Sequence, residues 1–134
     1  MRIVLDTNVF ISGIFFTGPP FTILQAWKEE TVTLLISPPI LEEYQRVAAE
    51  ISKQFPGIDL TTILQLIDSK AEHVRPTKLP SPVCDDPDDD KFLVAALAGK
   101  TQLIVSGDKA LLRVAGYQGL RVLRPRTFVD EYLS

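Results

Sequence analysis

Residues 2–8 read RIVLDTN. The short apolar run Arg2–Asp6 ends on a carboxylate and leads straight into helix-forming sequence, as expected of a strand covered on both faces. Residues 103–109, LIVSGDK, repeat the pattern: the run Leu103–Ser106 is followed by Gly107 and a second aspartate, Asp108. Between and after these two runs, helical and extended segments alternate. Thr7 to about Glu30 reads as mostly helical, broken at Gly18-Pro19-Pro20. Val32–Ser37 is a second strand. Pro38-Pro39 opens a helix to about Phe55, and Asp59 caps another with apolar residues at Leu60, Ile63, Leu64, Ile67, Ala71 and Val74. Pro76, Pro80, Pro82 and Pro87 mark a long ordered loop. Asp86-Pro87 starts a helix to about Ala98. Lys109–Ala115 is a short helix ended by Gly116, Leu120–Leu123 a further strand, and Thr127–Leu133 a final helical turn or two.

Strands separated by helices imply an α/β fold of three layers: a mainly parallel central sheet of four to five strands, with helices on both faces. In such sheets the working site lies beyond the carboxyl ends of the strands. Chemistry is therefore expected just after each strand, where Asp6 and Asp108 stand.

The 134 residues, 46% hydrophobic and 23% charged, suffice for one domain, expected to span 1–134. One cysteine, Cys84, excludes an internal disulfide and argues against thiolate zinc; one histidine, His73, excludes multi-histidine metal sites. His73 reads as a surface residue closing a helix, and Cys84 as a small buried apolar residue. No apolar run reaches membrane-spanning length, so the expectation is a cytoplasmic protein without membrane contact. Net charge is −3, yet residues 85–90 (DDPDDD) hold five acids, and the remainder of the chain is net positive. From Lys109 to Arg126 there are five bases (Lys109, Arg113, Arg121, Arg124, Arg126) and no acid. A concentrated acidic cluster and a separate basic segment fit a metal site beside a phosphate-binding surface.

Helical wheels extend the acid set. On residues 40–55 the stripe Ile40, Tyr44, Val47, Ala48, Ile51 and Phe55 faces the core, Glu42 lies opposite it, and Glu43 lies at the border. Glu43 can then reach the carboxyl edge of the sheet, whereas Glu42 is a solvated acid. On residues 86–98, Asp89 falls on the inward face with Phe92, Leu93 and Ala96, with Asp88 and Asp90 to either side. Asp6, Glu43, Asp89 and Asp108 are thus expected at one sheet edge, with no lysine or histidine placed to neutralise all four. Carboxylates crowded together raise each other's pKa or bind a cation, and an oxygen-only ligand set suits Mg2+ or Mn2+. Such a site suits metal-assisted phosphodiester hydrolysis.

The ordered set VLDTNVFISG, Glu43-Tyr44-x-Arg46-Val47, DPDDDKFLVAALAG and IVSGDKALL resembles the PIN domain, from residue 2 to about 130. It is most similar to the toxins of prokaryotic toxin–antitoxin pairs related to VapC. The resemblance implies a Mg2+- or Mn2+-dependent ribonuclease acting on single-stranded or structured RNA, with Asp6, Glu43, Asp89 and Asp108 as catalytic, metal-holding acids. Asn8 and Ser106 would support them, and Asp86 and Asp90 flank the third acid, where either can share its role. It further implies an antitoxin partner and a homodimer, for which Phe15–Phe21 and Ile63–Val74 offer apolar surface. Lys109, Arg113, Arg121, Arg124 and Arg126 are the expected RNA-backbone contacts.

Two other strand-then-aspartate folds fit less well. A haloacid dehalogenase phosphatase needs a second aspartate where this chain has Asn8, and a response-regulator receiver needs its acids and strands in another order. The alternative from a different class is a non-catalytic PIN-fold module that binds RNA or protein; the presence of every family acid weighs against it.

Overall fold

The computed structural model describes residues 1–133; Ser134, the last residue of the expected 1–134 unit, lies outside the described residues. Five parallel strands form one sheet in the order β3-β2-β1-β4-β5: β1 Arg2–Leu5, β2 Thr33–Ile36, β3 Glu72–His73, β4 Leu103–Val105 and β5 Arg121–Leu123. The central strands are buried on both faces. Ile3, Val4 and Leu5 of β1, Leu34, Leu35 and Ile36 of β2, and Ile104 and Val105 of β4 are all inaccessible to solvent or nearly so. Successive strand residues point to opposite faces, so continuous burial requires a helical layer on each side.

Among the described residues seven α-helices supply those layers: α1 Thr7–Phe15, α2 Pro19–Lys28, α3 Pro38–Ser52, α4 Leu60–Lys70, α5 Asp90–Ala98, α6 Lys109–Leu112 and α7 Pro125–Phe128. The break expected at Gly18-Pro19-Pro20 separates α1 from α2, which meet at 88°. They approach closely at Gly13, where a Cβ would lie 2.7 Å from the Leu24 side chain and 2.8 Å from the Pro20 carbonyl oxygen. α5 lies across β1, β2 and β4, and α3 packs on α1 and α4. Phe10 of α1 stacks on Tyr44 of α3 with ring centroids 4.2 Å apart. No single helix among the described residues is long and apolar enough to cross a membrane.

Several boundaries move from the sequence-based expectation. The helix from Asp59 ends at Lys70 instead of running on to Val74. The chain there turns extended, so that Leu35 and Ile36 of β2 gain the pairing partners Glu72 and His73. His73 therefore sits on an edge strand, not at a helix end, with its Nε2 3.0 Å from the Asp68 carbonyl oxygen. The helix from Lys109 stops at Leu112. The last helix begins earlier than expected, at Pro125, and finishes in a wider π turn, Val129–Leu133.

The sheet order places a topological switch between β1 and β4. From β1 the chain first steps outward to β2 and β3, then crosses back to β4 and continues to β5. The loops leaving the carboxyl ends of β1 and β4 diverge, which opens a crevice between them.

Candidate active site

Asp6 and Asp108 stand at that crevice. Asp6 immediately follows β1, and its backbone N–H donates to the Val105 carbonyl of β4 (3.0 Å). Asp6 occupies the N-cap position of α1, but its side chain makes no capping bond. Its Oδ2 instead accepts a 2.6 Å hydrogen bond from Ser106 Oγ. Ser106 Oγ also accepts 2.9 Å from the Asp108 backbone N–H, so one fully buried hydroxyl ties the two acids' segments together. Asp108 caps α6 through Oδ1, which accepts from the Ala110 N–H at 2.9 Å. Asp108 also lines a depression beside the crevice.

Asp6 is only 5% exposed. Burial raises its pKa, with Asp108 and then Glu43 adding repulsion, against the stabilising Ser106 bond. Asp89 comes last in a 3-10 turn, Pro87–Asp89, that leads into α5. Its pKa is pushed up to about 6, first by burial, then by Asp108, Asp6, Asp86 and Asp88. Three carboxylates from three separate loops thus repel one another across the crevice. No hydrogen bond or ion pair to the Asp89 carboxylate is found among the described residues. Hard, anionic oxygen donors with unused lone pairs suit a divalent cation such as Mg2+ or Mn2+.

Glu43 is held differently. On α3 it is half-buried beside the crevice, as its wheel position suggests, but its two oxygens are already engaged. Oε1 accepts from Lys91 Nζ at 2.7 Å, and Oε2 accepts from Thr7 Oγ1. Lys91 also pairs with Asp88 at 3.0 Å, and its side chain is only 12% exposed. Burial opposes the Lys91 ammonium, yet the bonds to Glu43 and Asp88 outweigh it and raise its pKa. The expected set of four acids is therefore divided: a lysine does neutralise one of them. Among the described residues, no three His, Cys, Asp or Glu side chains are disposed as a ready-made metal site.

Two neighbours of Asp89 have structural duties. Asp90 accepts from the Val83 N–H (3.1 Å) and the Cys84 N–H (2.8 Å), tethering the proline-rich loop to α5. Asp86 accepts from the Asp88 N–H (3.0 Å) as the cap of the 3-10 turn. Both carboxylates therefore already accept backbone N–H bonds, and Asp86 also adds to the repulsion on Asp89. Cys84 is buried, and its thiol is pushed up to about 12, first by burial and then by Asp90. It is an inert packing residue.

Beside Asp108 lies an open depression of about 660 Å3, walled by Pro20 and Pro125, with polar groups from Asn8, Ser12, Asp108 and Lys109. Lys109 and Arg124 follow the carboxyl ends of β4 and β5, and Arg126 lies on α7; all three are exposed. Arg113 is an exposed partner of Asp85 (2.6 Å). Arg121 belongs elsewhere. It opens β5 at the amino edge of the sheet and bonds Glu131 at 3.1 Å and the Tyr132 hydroxyl. A strand's length separates it from the crevice, so it does not join the other bases.

Sequence reasoning missed Lys91, Thr7 and the Tyr44 hydroxyl. Lys91 was legible as the i+3 partner of Asp88. The buried Tyr44 hydroxyl donates 2.5 Å to the Leu5 carbonyl and so fixes the end of β1 just before Asp6. No signal in an apolar stripe distinguishes such a tyrosine from a purely packing one.

Residues 2–110 match the PIN domain family. The chain belongs to that family. It is 30% identical to an uncharacterized protein of Methanocaldococcus jannaschii, over 98% of this chain and 92% of the relative. Its fold is similar to that in the crystal structure of VapBC2 from Rickettsia felis bound to a DNA fragment from their promoter. The TM-score is 0.61 and the identity 16%, over 92% of this chain and 98% of the other.

Proposed function

We propose that this chain, as one PIN domain spanning 1–134, is a divalent-metal-dependent endoribonuclease and the toxin of a toxin–antitoxin pair acting in the cytoplasm. The observation that carries the reading is that Asp6 and Asp108 leave neighbouring strands at the switch-point crevice tied by Ser106, with Asp89 near enough for its pKa to be raised by both. An unused carboxylate cluster costs folding stability, and a bound cation removes that cost. Mg2+ or Mn2+ would be held by Asp6, Asp89 and Asp108, with Glu43 beside them. When bound, such an ion supplies Lewis acidity to the scissile phosphodiester. Ser106 orients Asp6 and fixes the Asp108 backbone. Asn8 and Ser12 line the neighbouring depression, where a nucleotide flanking the scissile phosphate can lie. Lys109, Arg124 and Arg126, with Arg113 once released from Asp85, contact the RNA backbone.

The likeness to the VapBC2 structure supports an antitoxin partner. A homodimer is supported by Phe16, Phe21 and Ile58, which are 54%, 39% and 39% exposed. The Ile63–Val74 segment contributes less than its sequence suggests, because Ile63, Ile67 and Ala71 are buried within the chain.

The experiment is incubation of the purified protein with single-stranded and hairpin RNAs in Mg2+ or Mn2+, with EDTA as control. Metal-dependent cleavage is expected. RNA binding without cleavage in either metal would instead favour the non-catalytic module.

A further inference from the structure

Lys91 has no part in the proposed function, yet it is a charged group beside the acids with a side chain only 12% exposed. Its ammonium lies 2.7 Å from Glu43 Oε1 and 3.0 Å from Asp88 Oδ2, and also 5.8 Å from the centre of the Phe92 ring. Thr7 Oγ1 engages the second Glu43 oxygen. Arg46, the other base near Glu43, is 3.9 Å away and 61% exposed, so it is a peripheral partner. The Lys91 and Glu43 side chains are 12% and 15% exposed, so water screens their pairing poorly. Among the described residues, no lysine or arginine pairs with Asp6, Asp89 or Asp108, and the side-chain bond to Asp6 comes from the neutral Ser106 hydroxyl.

We infer that Lys91 is a positioning residue, a built-in counter-charge that reserves Glu43 and confines the divalent cation to the Asp6, Asp89 and Asp108 side of the crevice. This rests on the metal-site reading proposed above and sharpens it. The working ligand set is three carboxylates with one cation per chain, and Glu43 is held back from it by Lys91 and Thr7. Lys91 thereby offsets one of the two negative charges, on Glu43 and Asp88, that would attract a second ion. It also anchors α5, which carries it, to α3, which carries Glu43, and so holds Asp89 at the crevice.

The test is Mn2+ titration of the full chain, by calorimetry and by counting free Mn2+ from its paramagnetic resonance signal. Wild type should take one Mn2+ per chain, and Asp89→Asn should lose that binding. Lys91→Met alone leaves Glu43 with only the exposed Arg46 for a counter-charge and should tighten Mn2+ binding, on the order of tenfold, or admit a second ion. Lys91→Arg should restore the wild-type value. The decisive variant is Lys91→Met with Glu43→Gln. It removes both charges together, avoids an uncompensated half-buried ion, and should bind one Mn2+ with wild-type affinity. If that double variant loses Mn2+ binding as Asp89→Asn does, Glu43 is a direct ligand and the inference fails while the metal site stands. If wild type takes up no Mn2+, both the site and the inference fall.

Discussion

Ser106 Oγ donates a 2.6 Å hydrogen bond to Asp6 Oδ2 while accepting the Asp108 backbone N–H at 2.9 Å. One hydroxyl thus links the end of β1 to the turn after β4 across the switch point. It offers Asp6 a hydrogen bond without a counter-charge, which lessens but does not cancel the upward push of burial on its pKa. An N-capping aspartate spends an oxygen on the first turn of its helix; Asp6 makes no such capping bond and turns Oδ2 to Ser106. The arrangement makes the acids costly to the fold in the absence of a cation.

Metal should therefore stabilise the protein. Millimolar Mn2+ or Mg2+ is expected to raise the melting temperature, with reversal by EDTA. At one hundred times the dissociation constant the gain is about 2.7 kcal/mol. A melting curve that does not move with either ion contradicts the site.

The pH dependence has a defined sign. The Asp89 carboxyl is about 6 in the fold against an ordinary value of 3.8. The folded state then binds the proton more tightly than the unfolded one. Asp89's contribution to stability is fully present below its unfolded pKa and is lost as pH rises through about 6. Without metal, Asp89→Asn should melt above wild type near neutral pH, and the gap should close as pH falls through that window. A gap of constant size across the titration would mean that Asp89 is not electrostatically strained.

Backbone contacts should follow the sheet edge. Arg124→Glu and Lys109→Glu should weaken RNA binding and flatten its salt dependence, since each removes about one phosphate contact. Arg121→Glu, at the opposite edge, should bind RNA as wild type does. Filter binding across a salt series separates the two groups. Equal losses in all three variants would place the RNA track elsewhere.

Self-association is checked by light scattering at high micromolar concentration, where a dimer mass is expected. Phe16→Ser should shift the protein toward monomer. A wild-type monomer mass under those conditions removes the dimer.

The parallel sheet, the break between α1 and α2, and the burial of β1, β2 and β4 were legible because they depend on local apolar period. Glu43 against Glu42 was legible for the same reason: Glu43 is half-buried and Glu42 exposed. Edge strand β3 was not, because two residues carry no period and Glu72–His73 becomes a strand only by pairing with β2. The Lys91–Glu43 pair joins residues 48 apart in sequence, so no window contains it. Arg121 was grouped with Arg124 because they are close in the chain. A strand, however, separates residues along its length, and its two ends face opposite edges of the sheet.

The central claim is tested most directly by comparing RNA cleavage by wild type and Asp6→Asn in Mn2+ or Mg2+. Asparagine keeps the side-chain shape and can accept the Ser106 hydrogen bond, but it lacks the charge that holds a divalent ion. Burial already disfavours the charged form of Asp6, so the variant should stay folded. Glu42→Gln, on an exposed surface, serves as the control expected to match wild type. The account predicts a rate loss on the order of 10²-fold or more for Asp6→Asn, with an unchanged circular dichroism spectrum. Equal cleavage by wild type and a folded Asp6→Asn protein would contradict it.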